Sequence, residues 1–250
     1  MAEVFLEVKN LTKTIKGKPI VNGISFNLEE GKVVGFIGPN GAGKTTTMRM
    51  IMHLIKADSG SVSICGYDIN KDTKKATSLI GGIIESPCFY KDYTGRQNLE
   101  MFRSLCCDKP SMQVDEKTGE EIDTYIEEII DFLDMRSYID DKAKTYSLGM
   151  KQRLGIGMSL MNDPKVLILD EPLNGLDPIG INELHKIIPK LAKKGKAILV
   201  SSHILKEVES ICDECIMLLD GRSVDIKSKE GETLEQAFFR VLKEQEETNV

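Results

Sequence analysis

The glycine-rich segment at residues 38–45 constrains the fold of this chain more than any other part of its sequence. It reads Gly-Pro-Asn-Gly-Ala-Gly-Lys-Thr and matches G-x-x-x-x-G-K-[ST], the pattern of a phosphate-binding loop. The apolar run Val33–Ile37 precedes it, and residues 45–53 can continue as a helix, so the strand–loop–helix context of the pattern is present. Glycines let backbone N–H groups curl around a triphosphate, and the helix presents its positive N-terminal end to the same anion.

This loop predicts a site for ATP together with Mg²⁺. Lys44 is expected to reach the β- and γ-phosphates, and the hydroxyl of Thr45 is expected to bind the metal ion. The predicted nucleotide-binding residues of the loop are Gly38, Pro39, Asn40, Gly41, Ala42, Gly43, Lys44, Thr45 and Thr46.

Composition and charge argue against several other classes of protein. The chain has 250 residues, of which 41% are hydrophobic and 29% charged, as in a soluble globular protein with a large core. Its net charge of −6 gives no electrostatic reason to expect a nucleic acid partner. No apolar run approaches the roughly 18 residues of a membrane span, and the N-terminus lacks the regions of a signal peptide. These features predict a cytoplasmic protein.

The six cysteines offer one spacing that resembles a metal site, Cys212-x-x-Cys215. No second pair completes a set of four ligands. Cys215 also opens an apolar, strand-like run, and a reducing compartment keeps cysteines as thiols. We therefore expect two buried thiols here rather than a metal or redox site.

Short apolar runs predict an α/β fold with a mostly parallel sheet, because helical patterns separate several of them. These runs are Val33–Ile37, 80–84, Val166–Asp170, Ala197–Ser201 and 215–219. Alternating apolar and polar residues between positions 3 and 28 predict antiparallel strands, and residues 61–66 can add another. The sequence thus predicts a parallel core with an antiparallel β subdomain.

A helical subdomain is predicted at about residues 86–160, inserted between strands of the core. Residues 96–105 have a helical pattern, whereas the polar stretch 106–121 is predicted to be a loop. A second helix is predicted from residues at helical spacing that share one apolar face. These residues are Ile122, Tyr125, Ile126, Ile129, Ile130 and Leu133.

A helical tail at residues 229–250 is predicted to follow a main domain at residues 1–228. In the tail, Thr233-x-x-Gln236 can form a capping box at the start of an amphipathic helix. The apolar face of this helix has two possible roles: packing on its own domain, or contact with a partner. It consists of Leu234, Ala237, Phe238, Val241 and Leu242.

The run Val166–Asp170 ends in one carboxylate, Asp170, and a second one, Glu171, follows directly. A buried strand would deliver Asp170 to the coordination sphere of Mg²⁺, as in other phosphate-loop nucleotide hydrolases. Glu171 lies one residue further on, where it is predicted to polarise the attacking water. The phosphate loop and the acidic strand end together predict ATP hydrolysis.

Residues 146–153, Tyr-Ser-Leu-Gly-Met-Lys-Gln-Arg, make a family resemblance specific. The order of phosphate loop, this segment, Ile-Leu-Asp-Glu-Pro, Asn-Gly-Leu-Asp and Ser-Ser-His resembles the ATP-binding cassette (ABC) ATPases over residues 4–221. The family's signature usually reads Leu-Ser-Gly-Gly-Gln; here Ser147 and Gly149 remain, whereas three positions differ. The serine hydroxyl and glycine backbone can still contact a γ-phosphate, with a helix from Met150 onward pointing at it.

The resemblance implies a head-to-tail dimer, either of two copies or with a sibling ATPase. Each ATP would lie between Lys44 of one chain and Ser147 and Gly149 of the other. Asp177 would lie at that interface, and His203 matches the family's switch histidine, which donates to the γ-phosphate and orients water.

Two positions depart from the family. Glu85 stands where a glutamine commonly touches Mg²⁺ and water; because ionised glutamate only accepts hydrogen bonds, we expect stronger dependence on divalent metal. Ile15 stands where an aromatic residue usually stacks on adenine, so we expect weaker adenine discrimination. In having a glutamate at position 85, the chain resembles the ATPase subunits of lantibiotic- and bacitracin-type self-protection exporters.

We therefore expect an ATPase subunit on the inner face of the cell membrane that powers export through a separate multi-span permease. The transported molecule would be an antimicrobial peptide or a similar amphipathic compound. The segment after Glu85, with Pro87, Phe89, Tyr90 and Tyr93, either meets the permease or packs inside the helical subdomain. The alternatives are a soluble ATP-switched clamp, an importer ATPase and, less well matched, a small-molecule kinase.

Overall fold

Twelve strands and eight α-helices form the described part of a computed structural model, which covers residues 3–106, 112–114, 121–224, 226 and 231–248. The strands are β1 Val4–Ile15, β2 Lys18–Glu29, β3 Val33–Ile37, β4 Ser59–Ile64, β5 Tyr67–Asp68, β6 Ile80–Ile83, β7 Met112–Val114, β8 Glu121–Asp123, β9 Val166–Asp170, β10 Ala197–Ser201, β11 Glu214–Leu219 and β12 Arg222–Val224. The helices are α1 Lys44–Ile51, α2 Thr73–Ser78, α3 Gly95–Cys106, α4 Thr124–Phe132, α5 Leu148–Leu160, α6 Pro178–Lys193, α7 Leu205–Ile211 and α8 Leu234–Thr248.

The core sheet has the strand order β12-β11-β3-β10-β9-β6, and all neighbours except β11 and β12 run parallel. This confirms the predicted mostly parallel sheet. Every residue of β3, β9 and β10 is buried, as expected for strands covered on both faces. Because Ser201 pairs with both Phe36 and Asp170, the three strands end at the same edge. The phosphate loop and the acidic residues therefore meet there.

The predicted antiparallel subdomain is confirmed as a four-stranded sheet in the order β2-β1-β4-β5. Its inner face shares a hydrophobic core with α1 and the central sheet. Phe26 of β2 and Phe36 of β3 meet edge to face, with ring centroids 5.0 Å apart. This packing fixes the sheet against the strand that leads into the phosphate loop.

Three helices, α3, α4 and α5, lie between β6 and β9 in the chain, and two details of this region differ from the sequence prediction. The stretch 106–121 is not wholly a loop, because β7 and β8 pair in an antiparallel hairpin. Ile122 pairs with Gln113 in that hairpin, so α4 begins at Thr124 and not at Ile122. The carboxylate of Asp123 caps α4 by accepting from the backbone N–H of Tyr125, which sets the helix start. Cys107 and most of the predicted loop lie outside the described residues.

The C-terminal helix α8 packs on its own domain, which decides between the two roles considered for it. The capping box forms: Thr233 N–H donates to Gln236 Oε1 at 3.0 Å, and Gln236 N–H donates to Thr233 Oγ1 at 3.2 Å. Leu234 and Val241 are buried in a small core with residues of α7, β3 and β11. The proposed boundary at residues 228–229 lies outside the described residues. Within the described ranges, every helix is too short or too polar to cross a bilayer.

Candidate nucleotide-binding site

The phosphate loop connects β3 to α1 in a conformation that its glycines permit. Gly38, Gly41 and Gly43 all have positive φ angles, of 150°, 84° and 102°. A Cβ on Gly38 would lie 2.2 Å from the carbonyl oxygen of Leu218, so a side chain cannot fit without moving β11. The loop therefore follows the core closely and leaves its outer side to a ligand.

Lys44 begins α1 and points its ammonium back across the loop. Its Nζ donates to the carbonyl oxygens of Gly38 at 2.7 Å and Pro39 at 3.4 Å, although only 7% of the residue is exposed. Burial lowers the pKa of Lys44, while Glu171 and Asp170 oppose that shift. Among the described residues, this buried cation is held by two carbonyls and a distant carboxylate, an arrangement that suits an anionic ligand.

Thr45 and Asp170 form the predicted metal-binding pair. Thr45 Oγ1 donates to Asp170 Oδ2 at 2.9 Å, and the other carboxylate oxygen accepts from Ser201 Oγ at 2.6 Å. Hydroxyl and carboxylate oxygens are the ligands that Mg²⁺ prefers, and this ion usually completes its shell with water and phosphate oxygens. The donor set therefore fits Mg²⁺ bound together with a nucleotide.

Ser201, at the end of β10, is a site residue that the sequence analysis missed. Besides donating to Asp170, its Oγ accepts from the backbone N–H of Glu171 at 2.8 Å. It thus orients both acidic residues from the neighbouring strand. The signal in the sequence was a polar residue at the end of an apolar strand, two residues before the predicted histidine.

Glu171 lies between Lys44 and His203. Its Oε2 is 2.7 Å from His203 Nδ1, and its Oε1 is 4.0 Å from Lys44 Nζ. The backbone of Glu171 has a φ of 49°, a left-handed conformation that is uncommon outside glycine and often found at functional sites. The carboxylate is thereby turned from the end of β9 towards the phosphate loop, where it can accept a proton from water.

Ser147, Gly149 and Asp177 come together in a second place. Ser147 caps α5 by accepting from Met150 N–H at 3.3 Å, and Asp177 caps α6 by accepting from Gly180 N–H at 2.9 Å. The three residues line one surface groove, whose lining includes neither Lys44 nor Glu171. The structure thus brings these predicted residues together, but not with the phosphate loop of the same chain.

Ile15 and Glu85, the two departures from the family pattern, occupy different environments. Ile15 ends β1, pairs with Lys18 across the hairpin and is 42% exposed. Glu85 lies just after β6, and its Oε1 accepts from Arg49 Nη2 at 2.7 Å. Contact of Ile15 with adenine and of Glu85 with Mg²⁺ stays a prediction. Arg49 was missed, although it lies four residues after Thr45 on the same face of α1.

Cys212 and Cys215 are free thiols, each about half-buried. Burial raises the pKa of both, to about 11 for Cys215. Such thiols stay protonated at neutral pH and react slowly.

Comparison with known proteins identifies the family of this chain. Residues 21–174 match the family model described as ABC transporter. YhcH of Bacillus subtilis, an uncharacterised ABC transporter ATP-binding protein, is 45% identical over 98% of this chain and 78% of its own length. The lantibiotic transport ATP-binding protein SrtF of Streptococcus pyogenes is 39% identical over 93% of this chain and 95% of its own. The bacitracin transport ATP-binding protein BcrA of Enterococcus faecalis is 39% identical over 89% and 69%.

A solved structure of the ATP-binding subunit of an ABC transporter superposes with a TM-score of 0.81 and 25% identity, covering 95% of this chain and 99% of that one. Another cassette, in its ADP conformation, gives a TM-score of 0.76 and 26% identity over 94% and 93%. The phosphate loop, the acidic end of β9 and the histidine after β10 meet at one edge of the core sheet. The chain therefore belongs to the ABC transporter family, as an ATP-binding subunit whose cassette hydrolyses ATP.

Proposed function

We propose that this ATPase subunit powers export of an antimicrobial peptide, or a similar amphipathic compound, through a separate multi-span permease. The observation that carries the proposal is the likeness, over most of the chain, to relatives named for lantibiotic and bacitracin transport. The glutamate at position 85 supports the same group. In this proposal the chain lies on the cytoplasmic face of the membrane, held there by the permease.

The proposed hydrolysis uses the contacts around Glu171. Lys44 and the loop N–H groups bind the phosphates, and Thr45 and Asp170 hold Mg²⁺, with Glu85 as a further candidate ligand. When bound there, Mg²⁺ would supply positive charge that offsets the charge developing on the phosphate oxygens. Glu171 takes a proton from the attacking water. His203, whose Nδ1 lies 2.7 Å from Glu171 Oε2, orients that water.

Dimerisation is part of the proposal because Ser147, Gly149 and Asp177 line a groove separate from the phosphate loop. In a head-to-tail pair, the N-terminus of α5 from one chain would complete the nucleotide site of the other. ATP would then stabilise the closed pair, and hydrolysis would release it. The pair consists of two copies of this chain or of this chain and a sibling ATPase.

The exposed aromatic residues after Glu85 support a protein partner. Tyr90 and Tyr93 stack with centroids 5.4 Å apart, and 57% and 47% of their surfaces are exposed. Phe89, in contrast, packs against the core of the helical region. One aromatic residue of the segment therefore packs inward, and the two exposed ones form a surface that supports the proposed contact with the permease.

The test is to purify tagged Glu171→Gln protein with ATP from gently solubilised membranes and to identify what is bound. This variant should hold ATP without hydrolysing it and so trap the closed pair. A multi-span membrane protein at near-equal stoichiometry is expected; its absence would favour the soluble clamp and contradict the proposal. Glu171→Gln combined with Lys44→Ala, which weakens ATP binding, is the matched control for ATP-dependent capture.

The direction and substrate class need a second experiment with the identified permease. Co-expression in a sensitive bacterium should raise resistance to lantibiotics or bacitracin, and Glu171→Gln should abolish that gain. Uptake of a nutrient that depends on the same pair would instead establish an importer.

A further inference from the structure

An ion pair joins the helix that follows the phosphate loop to the chain that enters the helical region. Arg49 lies one turn after Thr45 in α1, and its Nη2 donates to Glu85 Oε1 at 2.7 Å. Glu85 itself forms the tip of a three-residue turn, because Ser86 N–H donates to the carbonyl of Ile84 at 2.9 Å and Glu85 has a φ of 65°. Turns of this hand are rare and strained, so their surroundings must hold them in place.

The residues on either side of this turn pack closely against α5, the helix that Ser147 caps. A Cβ on Gly155 of α5 would lie 2.4 Å from Pro87 Cβ and 3.0 Å from Ile83 Cδ1, so only glycine allows this approach. Contacts therefore run without a gap from α1, through Arg49 and Glu85, to Pro87 and α5. Only Ser86 separates Glu85 from Pro87, so the turn continues directly into the residue that packs on α5.

We propose that Arg49 is a positioning residue that competes with the divalent cation for the Glu85 carboxylate. It holds the turn next to α1 when no metal is bound and releases it when Glu85 binds the metal, which shifts Pro87 against α5. The pair suits such an exchange because the side chains of Arg49 and Glu85 are 39% and 65% exposed, and exposed pairs are weak. The metal-dependent step rests on the proposed role of Glu85.

The first test needs neither nucleotide nor metal. The chain contains no tryptophan, so Phe89→Trp, four residues after Glu85, gives a single reporter beside the turn. In this background, Arg49→Gln and Glu85→Gln should each increase acrylamide quenching, the double variant should add nothing, and Arg49→Lys should restore most of the protection. Lys144→Gln breaks the exposed pair with Asp92 in the same region and is the matched control. Equal quenching in all variants would overturn the proposal.

The second test measures metal affinity directly, as the half-saturating Mg²⁺ concentration for binding of a fluorescent ATP analogue. Arg49→Gln removes a guanidinium that competes with Mg²⁺ for Glu85 with the strength of an exposed ion pair. The half-saturating concentration should therefore fall about two- to five-fold. The effect should vanish in the Glu85→Gln background. An Arg49→Gln effect that persists there would show that Arg49 acts elsewhere and overturn the proposal. Hydrogen exchange of residues 84–95 replaces the reporter if Phe89→Trp folds poorly. Failure to find an exporter leaves both readouts unchanged, so the two proposals fail separately.

Discussion

His203 Nδ1 lies 2.7 Å from Glu171 Oε2, and this contact joins the ends of two neighbouring parallel strands. Glu171 directly follows β9, whereas Ser202 separates His203 from the end of β10. Ser201 reinforces the same link, since its Oγ accepts from the Glu171 backbone N–H. The carboxylate and the imidazole are thus positioned by the sheet itself, next to Lys44 at the mouth of the phosphate loop.

Glu171→Gln is expected to reduce ATP hydrolysis by about 10²- to 10⁴-fold, the usual contribution of a positioned general base. Binding of ATP should persist, because the amide keeps the size of the side chain and Lys44 and the loop are untouched. Phosphate release and titration with a fluorescent ATP analogue measure the two effects. Glu214→Gln, which alters an exposed carboxylate at the start of β11, is the control. If Glu171→Gln retains more than about a tenth of the parent rate, Glu171 is not the general base.

Gly38→Ala is expected to destabilise the protein by about 3 kcal/mol or more, because a backbone clash adds to an unfavourable φ. The new Cβ would lie 2.2 Å from the carbonyl oxygen of Leu218. Gly41→Ala is the matched comparison: its φ is also positive, at 84°, but no described atom beyond its chain neighbours lies within 4 Å of the new Cβ. It should cost only about 1–2 kcal/mol. Urea unfolding followed by circular dichroism measures both, and equal losses would contradict the steric argument.

The sequence predicts the parts of this site that depend on local chain chemistry. The phosphate loop, the buried strand β9 and its two acids follow from residue types and their spacing. The bond from Ser201 to Asp170 and the ion pair of Arg49 with Glu85 do not, because each joins residues on different elements. Such pairs depend on which helices and strands become neighbours in the fold, and a single sequence does not specify that arrangement.

The start of α4 shows why one boundary was predicted wrongly. Ile122 continues the helical spacing of the apolar face. An apolar residue at the boundary of such a pattern fits the end of a strand equally well, however. The decision comes from Asp123, whose carboxylate caps the helix and also accepts from Arg103 Nε at 3.0 Å. The cap is a local contact, whereas the bond from Arg103 is tertiary, because Arg103 is distant in sequence.

Asp123→Ala is expected to lower the free energy of unfolding by about 3–5 kcal/mol, because it leaves the Arg103 guanidinium buried without its carboxylate. The side chains of Arg103 and Asp123 are only 10% and 5% exposed. Replacing both residues with leucine should recover much of the loss, since two well-packed apolar side chains avoid burying a charge. Asp131→Ala, which breaks an exposed pair with Arg136, should cost less than about 1 kcal/mol. Comparable losses for Asp123→Ala and Asp131→Ala in thermal or urea unfolding would contradict the buried-pair argument.

Lys44→Met is expected to change how stability depends on pH in the nucleotide-free protein. Burial lowers the pKa of Lys44 from 10.5, so the unfolded chain binds this proton more tightly than the folded chain. Stability rises with pH wherever the unfolded state binds more protons. The Lys44 side chain therefore favours unfolding most at pH values below its folded pKa, and this effect is relieved as the pH rises through the folded pKa towards 10.5.

The free energy of unfolding of the wild-type protein should accordingly increase relative to that of Lys44→Met as the pH increases. Urea unfolding from neutral to alkaline pH measures this difference. Lys9→Met removes one positive charge from an exposed side chain and is the control. A constant difference between wild type and Lys44→Met across this range would show that burial does not govern the protonation of Lys44.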